Sequence, residues 1–308
     1  MRTILDGNAK NKHDLAMVDT LPKDRYFRDN RFPLAVIRSV TQFPMSRHAH
    51  QFSELVIVSK GSGVHVTGRE SWPVSAGDVF VIGGARAHEY RDTDGLVLTN
   101  ILYDPKLLAM PERDLRTLPG YHALFTLEPA WRARGAFKSR LKLSMKALAY
   151  AEGRVDKLER ELSTRAPGFR FMALAAFMEL VGALSRCYEK VAAASGGDLL
   201  RIGKAIGYLE NHYADSVRLD DVAREVHLSK RHLLRMFKEA TGLTPGAYLL
   251  QVRVARGAER LRLGEDNVTE AAWQAGFNDS NYFTRQFRRL MGMSPSEYRR
   301  RMAESFSP

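Results

Sequence analysis

The last hundred residues of this 308-residue chain carry one pattern twice, fifty positions apart. Leu233, Phe237, Gly242, Pro245 and Tyr248 follow Ser229, and Phe283, Phe287, Gly292, Pro295 and Tyr298 follow Asp279. Arg235 and Arg285 keep the same offset. Repetition in this detail implies two copies of one supersecondary unit. Within each copy the apolar spacing is helical. Leu219, Val222, Ala223 and Val226 make a short helix, His227-Leu228 turns, Ser229 suits an N-cap, and Leu233, Met236 and Phe237 bury the next helix. In the second copy Val268, Ala271, Ala272 and Ala275 are followed by a Gly276-Phe277 turn and an Asp279 cap. Tyr282, Phe283 and Phe287 then bury the following helix.

The opposite faces are polar. Lys230, Arg231, Leu234, Arg235 and Lys238 remain outward in the first copy, and Ser280, Asn281, Thr284, Arg285 and Arg288 in the second. Tethered helices with such faces fit DNA major grooves, where Arg reads guanine and Asn reads adenine. Tyr248 to Leu263 lacks proline and reads as one connecting helix. It would hold the two units about one DNA turn, roughly 34 Å, apart. A single basic amphipathic helix is more simply a solvated surface; two copies with matching caps and aromatic cores favour the groove reading.

These residues resemble the AraC/XylS family of bacterial transcription regulators over about Asp198 to Met302. Gly276-Phe277-Asn278-Asp279-Ser280-Asn281-Tyr282-Phe283, followed by Arg285, Phe287 and Pro295, carries the likeness. The resemblance implies that Lys230, Arg231, Leu234 and Arg235, and Ser280, Asn281, Thr284 and Arg285, lie against base edges or phosphates. Leu234 departs from the polar residue common in the family and suits a thymine methyl. Gly257 stands where relatives usually carry alanine, at a cost of about 1 kcal/mol of helix stability. The resemblance also implies double-stranded DNA, RNA polymerase and a second copy of the chain as partners.

A net charge of +12 agrees with attraction to phosphate. One cysteine, Cys187, excludes an intrachain disulfide framework, and the N-terminus shows no signal-peptide core. A cytoplasmic setting is expected. The most apolar stretch, Phe171 to Leu184, is interrupted by Glu179 and reads as too short to span a bilayer.

The first third is different in kind. Phe32 to Phe43, Phe52 to Ser59, Val64 to Thr67, Val79 to Ile82 and Leu96 to Tyr103 read as short strands. Lys60-Gly61-Ser62-Gly63 and Ala76-Gly77-Asp78 punctuate them. Close-set strands with glycine turns suggest a small antiparallel barrel or jelly roll. The fold class is therefore α+β, in four parts: an N-terminal arm at 1–30, a sensor barrel at 31–104, a helical dimerisation and linker segment at 105–197, and a reader at 198–302.

Within the barrel, His48-x-His50-x-x-x-Glu54 with Gly61 resembles the first cupin motif, and Gly77 through His88 resembles the second. The resemblance implies that His48, His50, Glu54 and His88 point inward, where cupins bind one metal. Two imidazoles one residue apart on a strand share a face, and the set suits Fe, Mn, Ni or Zn. The same groups serve equally as hydrogen-bond partners for sugar hydroxyls. Arg47, His65 and Asn100, with Arg86 and Tyr90, complete the pocket candidates. Metal-free recognition of a sugar effector and a metal site both remain open, and catalysis is not expected. The stretches from His50 to Val66, Gly77 to Ile82, and Leu98 to Pro105 resemble the sensors of rhamnose-operon activators within the family. This implies L-rhamnose or a related sugar as effector; another carbohydrate or polyol is the nearest alternative, and a metal-dependent cupin enzyme fused to a DNA-binding tail the alternative of another class.

Ala136 to about Leu162 reads as a helix with a stripe of Leu141, Met145, Leu148, Val155, Leu158 and Leu162. Phe169, Met172, Ala176, Phe177, Leu180 and Leu184 form a second stripe. The two are expected to pack on the barrel, to pair subunits, or both. Ala192 to Asp198 reads as a flexible linker.

Overall fold

The computed structural model describes residues 19–39, 45–68, 70–84, 86–108, 110, 112–129, 141–195, 197–264 and 266–306. The N-terminal part of the expected arm and the first turns of the helix expected from Ala136 lie outside these residues.

The N-terminal half is one eight-stranded sheet. In chain order its elements are β1 (Asp19–Leu21), the single helical turn α1 (Lys23–Tyr26), β2 (Leu34–Ser39), β3 (Met45–His50), β4 (Ser53–Thr67), β5 (Glu70–Ser75), β6 (Asp78–Ile82), β7 (His88–Tyr103) and, further on, β8 (Leu141–Lys142). The pairing order is β1-β3-β7-β4-β6-β8, with β2 also on β7 and β5 also on β4. The sheet takes a strand from each side of the segment 31–104: β1 pairs with β3, and β8 pairs with β6.

The strand β4 is 15 residues long and β7 is 16. The expected stop at Lys60 to Gly63 is instead a bend within β4, where its register with β7 shifts three times between Val58 and Val64. Gly61 (φ 70°) faces Gly95 (φ 55°), and a Cβ on Gly61 would overlap the Gly95 carbonyl. Two glycines with positive φ let both strands kink at one level. The short-strand reading failed here because glycine marks a bulge as readily as a turn. The unbroken apolar run of β4 is explained by burial of both faces. Leu55 and Ile57 pack outward against helices, and Val56 and Val58 pack inward with Phe80 and Leu98.

Beyond the sheet come α2 (Glu112–Leu115), α3 (Pro119–Tyr121) running into a π-helical segment (His122–Leu127), and then a hairpin of α4 (Met145–Thr164) and α5 (Phe169–Ser195). Ser144 caps α4 by accepting the Ala147 N–H. Leu141 belongs to β8 and not to the helix expected from Ala136. Met145, counted in the apolar stripe, is 90% exposed at the first helical position. Met172 of the second stripe is also exposed, at 38%, while Val155, Leu158, Ala176, Phe177, Leu180 and Leu184 are buried within the protein. The window Phe169–Lys190 is long and apolar enough to cross a membrane, contrary to the shorter stretch read from sequence. Its residues Ala173, Ala176, Phe177, Leu180, Val181 and Leu184 lie in the shared core, which accounts for it as a core helix.

The reader comprises α6 (Asp198–Asn211), α7 (Leu219–Glu225), α8 (Lys230–Thr241), α9 (Pro245–Leu263), α10 (Val268–Gln274), α11 (Ser280–Met291) and α12 (Pro295–Phe306). The linker expected at Ala192 to Asp198 is largely helical, because α5 runs to Ser195 and α6 starts at Asp198. Free rotation between sensor and reader, which a flexible linker would allow, has no support in this packing. A single apolar core runs from Leu55 and Val79 in the sheet, through Leu124, Leu158 and Phe177, to Ile202, Leu233 and Phe237. A Cβ on Gly120 would overlap the Ser185 carbonyl, and one on Gly203 would overlap the Pro119 carbonyl. Backbones therefore meet directly where α3 touches α5 and α6. Glu210 accepts hydrogen bonds from Arg116 at 3.2 Å and from the Tyr248 hydroxyl at 2.6 Å, linking three segments. Val254, Ala271, Ala272, Phe277, Phe283 and Phe287 form a separate core around α10 and α11.

Candidate effector pocket and nucleic-acid interface

The fifty-residue repeat reappears as repeated geometry. Ser229 accepts the His232 N–H at the start of α8, and Asp279 accepts the Asn281 and Tyr282 N–H groups at the start of α11. Both helices end on a left-handed glycine, Gly242 (φ 78°) and Gly292 (φ 77°). The Phe237–Tyr248 rings lie 5.6 Å apart at 76°, and the Phe287–Tyr298 rings 5.5 Å apart at 69°. Gly257, a helix-propensity loss within α9, has a packing reason: its Cβ would stand 2.7 Å from the Phe283 ring. The glycine lets α11 seat its buried phenylalanine against the connecting helix.

Lys230, Arg231, Leu234, Arg235, Asn281 and Arg285 are exposed, while Ser280 and Thr284 are half-buried. The Thr284 hydroxyl donates to the Ser280 carbonyl. Tyr282 was expected in the core and is 41% exposed, with the Arg285 guanidinium 5.8 Å from its ring centre. Its helical position falls on the edge of the apolar stripe, beside Phe283. Lys230 and Arg235 pair with Asp220 and Glu239 at 2.6 and 3.0 Å. Such exposed pairs contribute little and exchange readily for phosphate.

A cavity of about 330 Å³ opens into the sensor sheet. Leu21, Tyr26, Arg38, Ser39, His48, His50, Phe52, Glu54, His88, Tyr90, Asn100 and Leu102 are among its walls. Strand alternation delivers His48 and His50 to it from β3 and leaves Arg47 exposed on the other side. His65 is also not a wall residue. It lies in an aromatic cluster, its ring about 5 Å from those of Trp72, Phe80 and Tyr90. Arg86 gives its guanidinium to the Pro129 carbonyl. Arg38 and Ser39 were missed, because β2 reads as an apolar strand with no motif. On α4, Asp156 and Glu159 grip the Arg38 guanidinium.

At the centre, ligand atoms of His50, Glu54 and His88 lie within 4.8 Å of one another. The His48 ring stacks 4.3 Å from that of His88 but adds no atom to this group. The His50 Nδ1–H donates to the Phe52 carbonyl at 2.6 Å, and the His88 Nδ1–H to the Arg86 carbonyl at 3.2 Å. His50 Nε2 is hydrogen-bonded to Glu54 Oε2 at 3.0 Å, and His88 Nε2 lies 3.6 Å from the same oxygen. Burial strips water from the His88 cation and lowers its pKa to about 4, despite the pull of Glu54. Burial pushes the Glu54 carboxyl up, yet the His50 hydrogen bond and the neighbouring imidazoles leave it below the ordinary carboxylate range. So two ring nitrogens and one carboxylate converge on one point, where a hydroxyl-bearing guest or a cation can be held. Adjacent hydroxyls of a polyol supply donors. A divalent metal supplies the cation, and ring N–H groups anchored on carbonyls are the outer support such ligands need. The donor set fits either guest.

A family model for a helix-turn-helix domain matches residues 222–301, and one for an AraC-like ligand binding domain matches residues 34–165. The chain is 33% identical over 279 residues to the HTH-type transcriptional activator RhaS of Escherichia fergusonii, covering 89% of this chain and 94% of that protein. It is 32% identical over 282 residues to the HTH-type transcriptional activator RhaR of Escherichia coli strain K12, covering 91% and 95%.

Proposed function

The chain belongs to the AraC family as a DNA-binding transcription activator with a ligand-binding domain, not an enzyme, and on that premise we propose that its effector is a small sugar, L-rhamnose or a close relative. The convergence of His50 Nε2, His88 Nε2 and Glu54 Oε2 carries this reading, because vicinal hydroxyls, which donate and accept, can bond the carboxylate and the ring nitrogens together. Asn100, Arg38 and the His48 ring add polar contacts around the same guest, and Phe52, Tyr90 and Leu102 give it an apolar floor. The relatives RhaS and RhaR support the rhamnose branch of the family. A thermal-shift panel of sugars tests it, since a specific ligand stabilises the fold by mass action. L-rhamnose is expected to raise Tm in protein stripped with a chelator. A shift only after adding zinc, nickel, manganese or iron would favour the second reading, in which His50, Glu54 and His88 hold a metal. No shift with any sugar would overturn the first.

The sensor, helical segment and reader are proposed to span 31–104, 105–197 and 198–302, with 1–30 as an arm. We assign Lys230, Arg231, Leu234, Arg235, Ser280, Asn281, Thr284 and Arg285 to DNA contact, in two successive major grooves. Arg235→Ala and Arg285→Ala are each expected to cost about 1–3 kcal/mol of specific binding. Footprinting checks this: each variant loses protection in its own groove, and protection of one groove alone by the parent would refute the paired arrangement. The protein is proposed to act in the cytoplasm as a homodimer that engages RNA polymerase. Because most of the hairpin stripe is buried, we place the dimer seam on outward residues such as Tyr150, Phe171 and the stripe's exposed Met172.

Sensor and reader communicate through the backbone joint at Gly203. Gly203→Ala favours the helix itself but places a Cβ against Pro119. Basal DNA affinity is expected to stay within about threefold of the parent, while the L-rhamnose response is lost. Gel-shift titration with and without the sugar reads both, and an intact response would remove this joint from the signal route.

A further inference from the structure

β2 separates the effector pocket from a second cavity. Leu34, Val36 and Ile37 of β2 line a space of about 260 Å³ whose far side is the end of α4 and the start of α5. Its walls are apolar, with Phe32, Leu162 and Phe169 facing the strand, and the rings of Phe32 and Phe169 meet edge-on at 6.2 Å. Its rim is charged. Arg28, Asp29, Glu159 and Arg165 stand there. The two carboxylates are already engaged, Asp29 by Arg170 and Glu159 by Arg38. Arg28 and Arg165 have no carboxylate partner among the described residues. With Asp156 also on Arg38 and Arg31 also beside Asp29, five guanidiniums stand against three carboxylates around this opening.

Arg165 occupies the left-handed cap of α4 at φ 50°, a position where glycine or asparagine is the ordinary choice. Its guanidinium stacks 5.5 Å from the centre of the Phe169 ring, over the cavity wall. The helix end thus carries a cation and an aromatic face together, and neither belongs to the effector pocket.

We propose that this cavity binds a small apolar monocarboxylate, with its chain or ring against Phe32, Leu162 and Phe169 and its carboxylate between Arg28 and Arg165. The charge surplus favours an anion, and the planar guanidinium matches a carboxylate in two parallel hydrogen bonds. An inorganic anion leaves the apolar walls in water, and a neutral hydrocarbon leaves both cations unused. The volume is below the roughly 300–1,000 Å³ typical of pockets for drug-sized ligands, which limits the guest to about an eight-carbon chain.

Octanoate is the probe, and octan-1-ol is its uncharged control, both titrated calorimetrically into the full chain. Arg165→Asn keeps a residue that tolerates the left-handed backbone, and Arg28→Gln removes the second charge without shortening the reach greatly. Octanoate is expected to bind at least tenfold more tightly than octan-1-ol. The Arg28→Gln, Arg165→Asn double variant is expected to weaken octanoate at least tenfold, with its Tm retained. Glu54→Gln is expected to bind octanoate as the parent does, which separates this site from the effector pocket. Absence of octanoate binding, equal affinity for the alcohol, or an unchanged double variant overturns the proposal. Loss of octanoate binding in Glu54→Gln overturns it as well, by placing the probe in the other cavity.

Discussion

Leu180→Glu is expected to unfold the sensor and the first helix-turn-helix together, lowering stability by about 4 kcal/mol or more. Leu180 is fully buried in the core that the sheet, the hairpin and α6 share. An ionised carboxylate there has no partner, and a protonated one still fills an apolar site with polar atoms. The periodicity of α5 alone makes Leu180 equally suited to a subunit seam, where the same change would weaken dimers and spare the fold. Phe171, which is 76% exposed on the same helix, supplies the contrast. Phe171→Glu is expected to leave Tm within a few degrees and to shift sedimentation towards monomer. Calorimetry and sedimentation on the pair decide the matter: a folded, monomeric Leu180→Glu protein would overturn this assignment of faces.

Glu54→Gln is expected to weaken L-rhamnose binding by about 100-fold, equivalent to about 2.7 kcal/mol. The change is nearly isosteric, so the wall keeps its shape. It replaces a charged acceptor with a neutral amide, which accepts more weakly from the sugar hydroxyls. Hydrogen bonds to charged groups are worth about 1.5–3 kcal/mol each, and a buried polar guest feels their loss in full. His50 and His88 keep their Nδ1–H bonds to backbone carbonyls, so the strands carrying them stay in place. Calorimetric titration with the sugar measures the effect. Affinity within twofold of the parent would take Glu54 out of contact with the effector.

The reader was legible in the sequence because its signals are local. Caps, glycines and aromatic pairs fall within twenty residues of one another, and each of these repeated positions has the same local geometry in both copies. The pocket was legible in part. Strand alternation placed His48, His50 and Glu54 on the cavity wall, yet it also predicts that Arg47 points away, which the motif reading overlooked. His65 shares the barrel interior but lies in its aromatic layer, a difference of depth that a period of two cannot express. Arg38 could not be found from its neighbours, because its role depends on α4, more than a hundred residues later. The linker was misjudged for a physical reason. Alanine, glycine and serine read as flexible in isolation, but alanine is also the best helix former, and α5 extends through it.

The helix α6 has hardly a face to spare: Leu199, Ile202, Ala205, Ile206 and Leu209 are all buried, with Gly203 against Pro119. For anyone wishing to graft a new sensor onto this reader, the natural seam is therefore not at Gly197. A cut there hands the foreign sensor a helix edge shaped to a loop it does not possess, and a chimera so made would bind its operator while ignoring its inducer. A cut after Asn211 strips α7 and α8 of the helix they rest on. The portable part begins near Glu112, ahead of the turn that meets Gly203, and a barrel exchanged at that point must offer β8 an edge to pair with and the hairpin an apolar face to rest on.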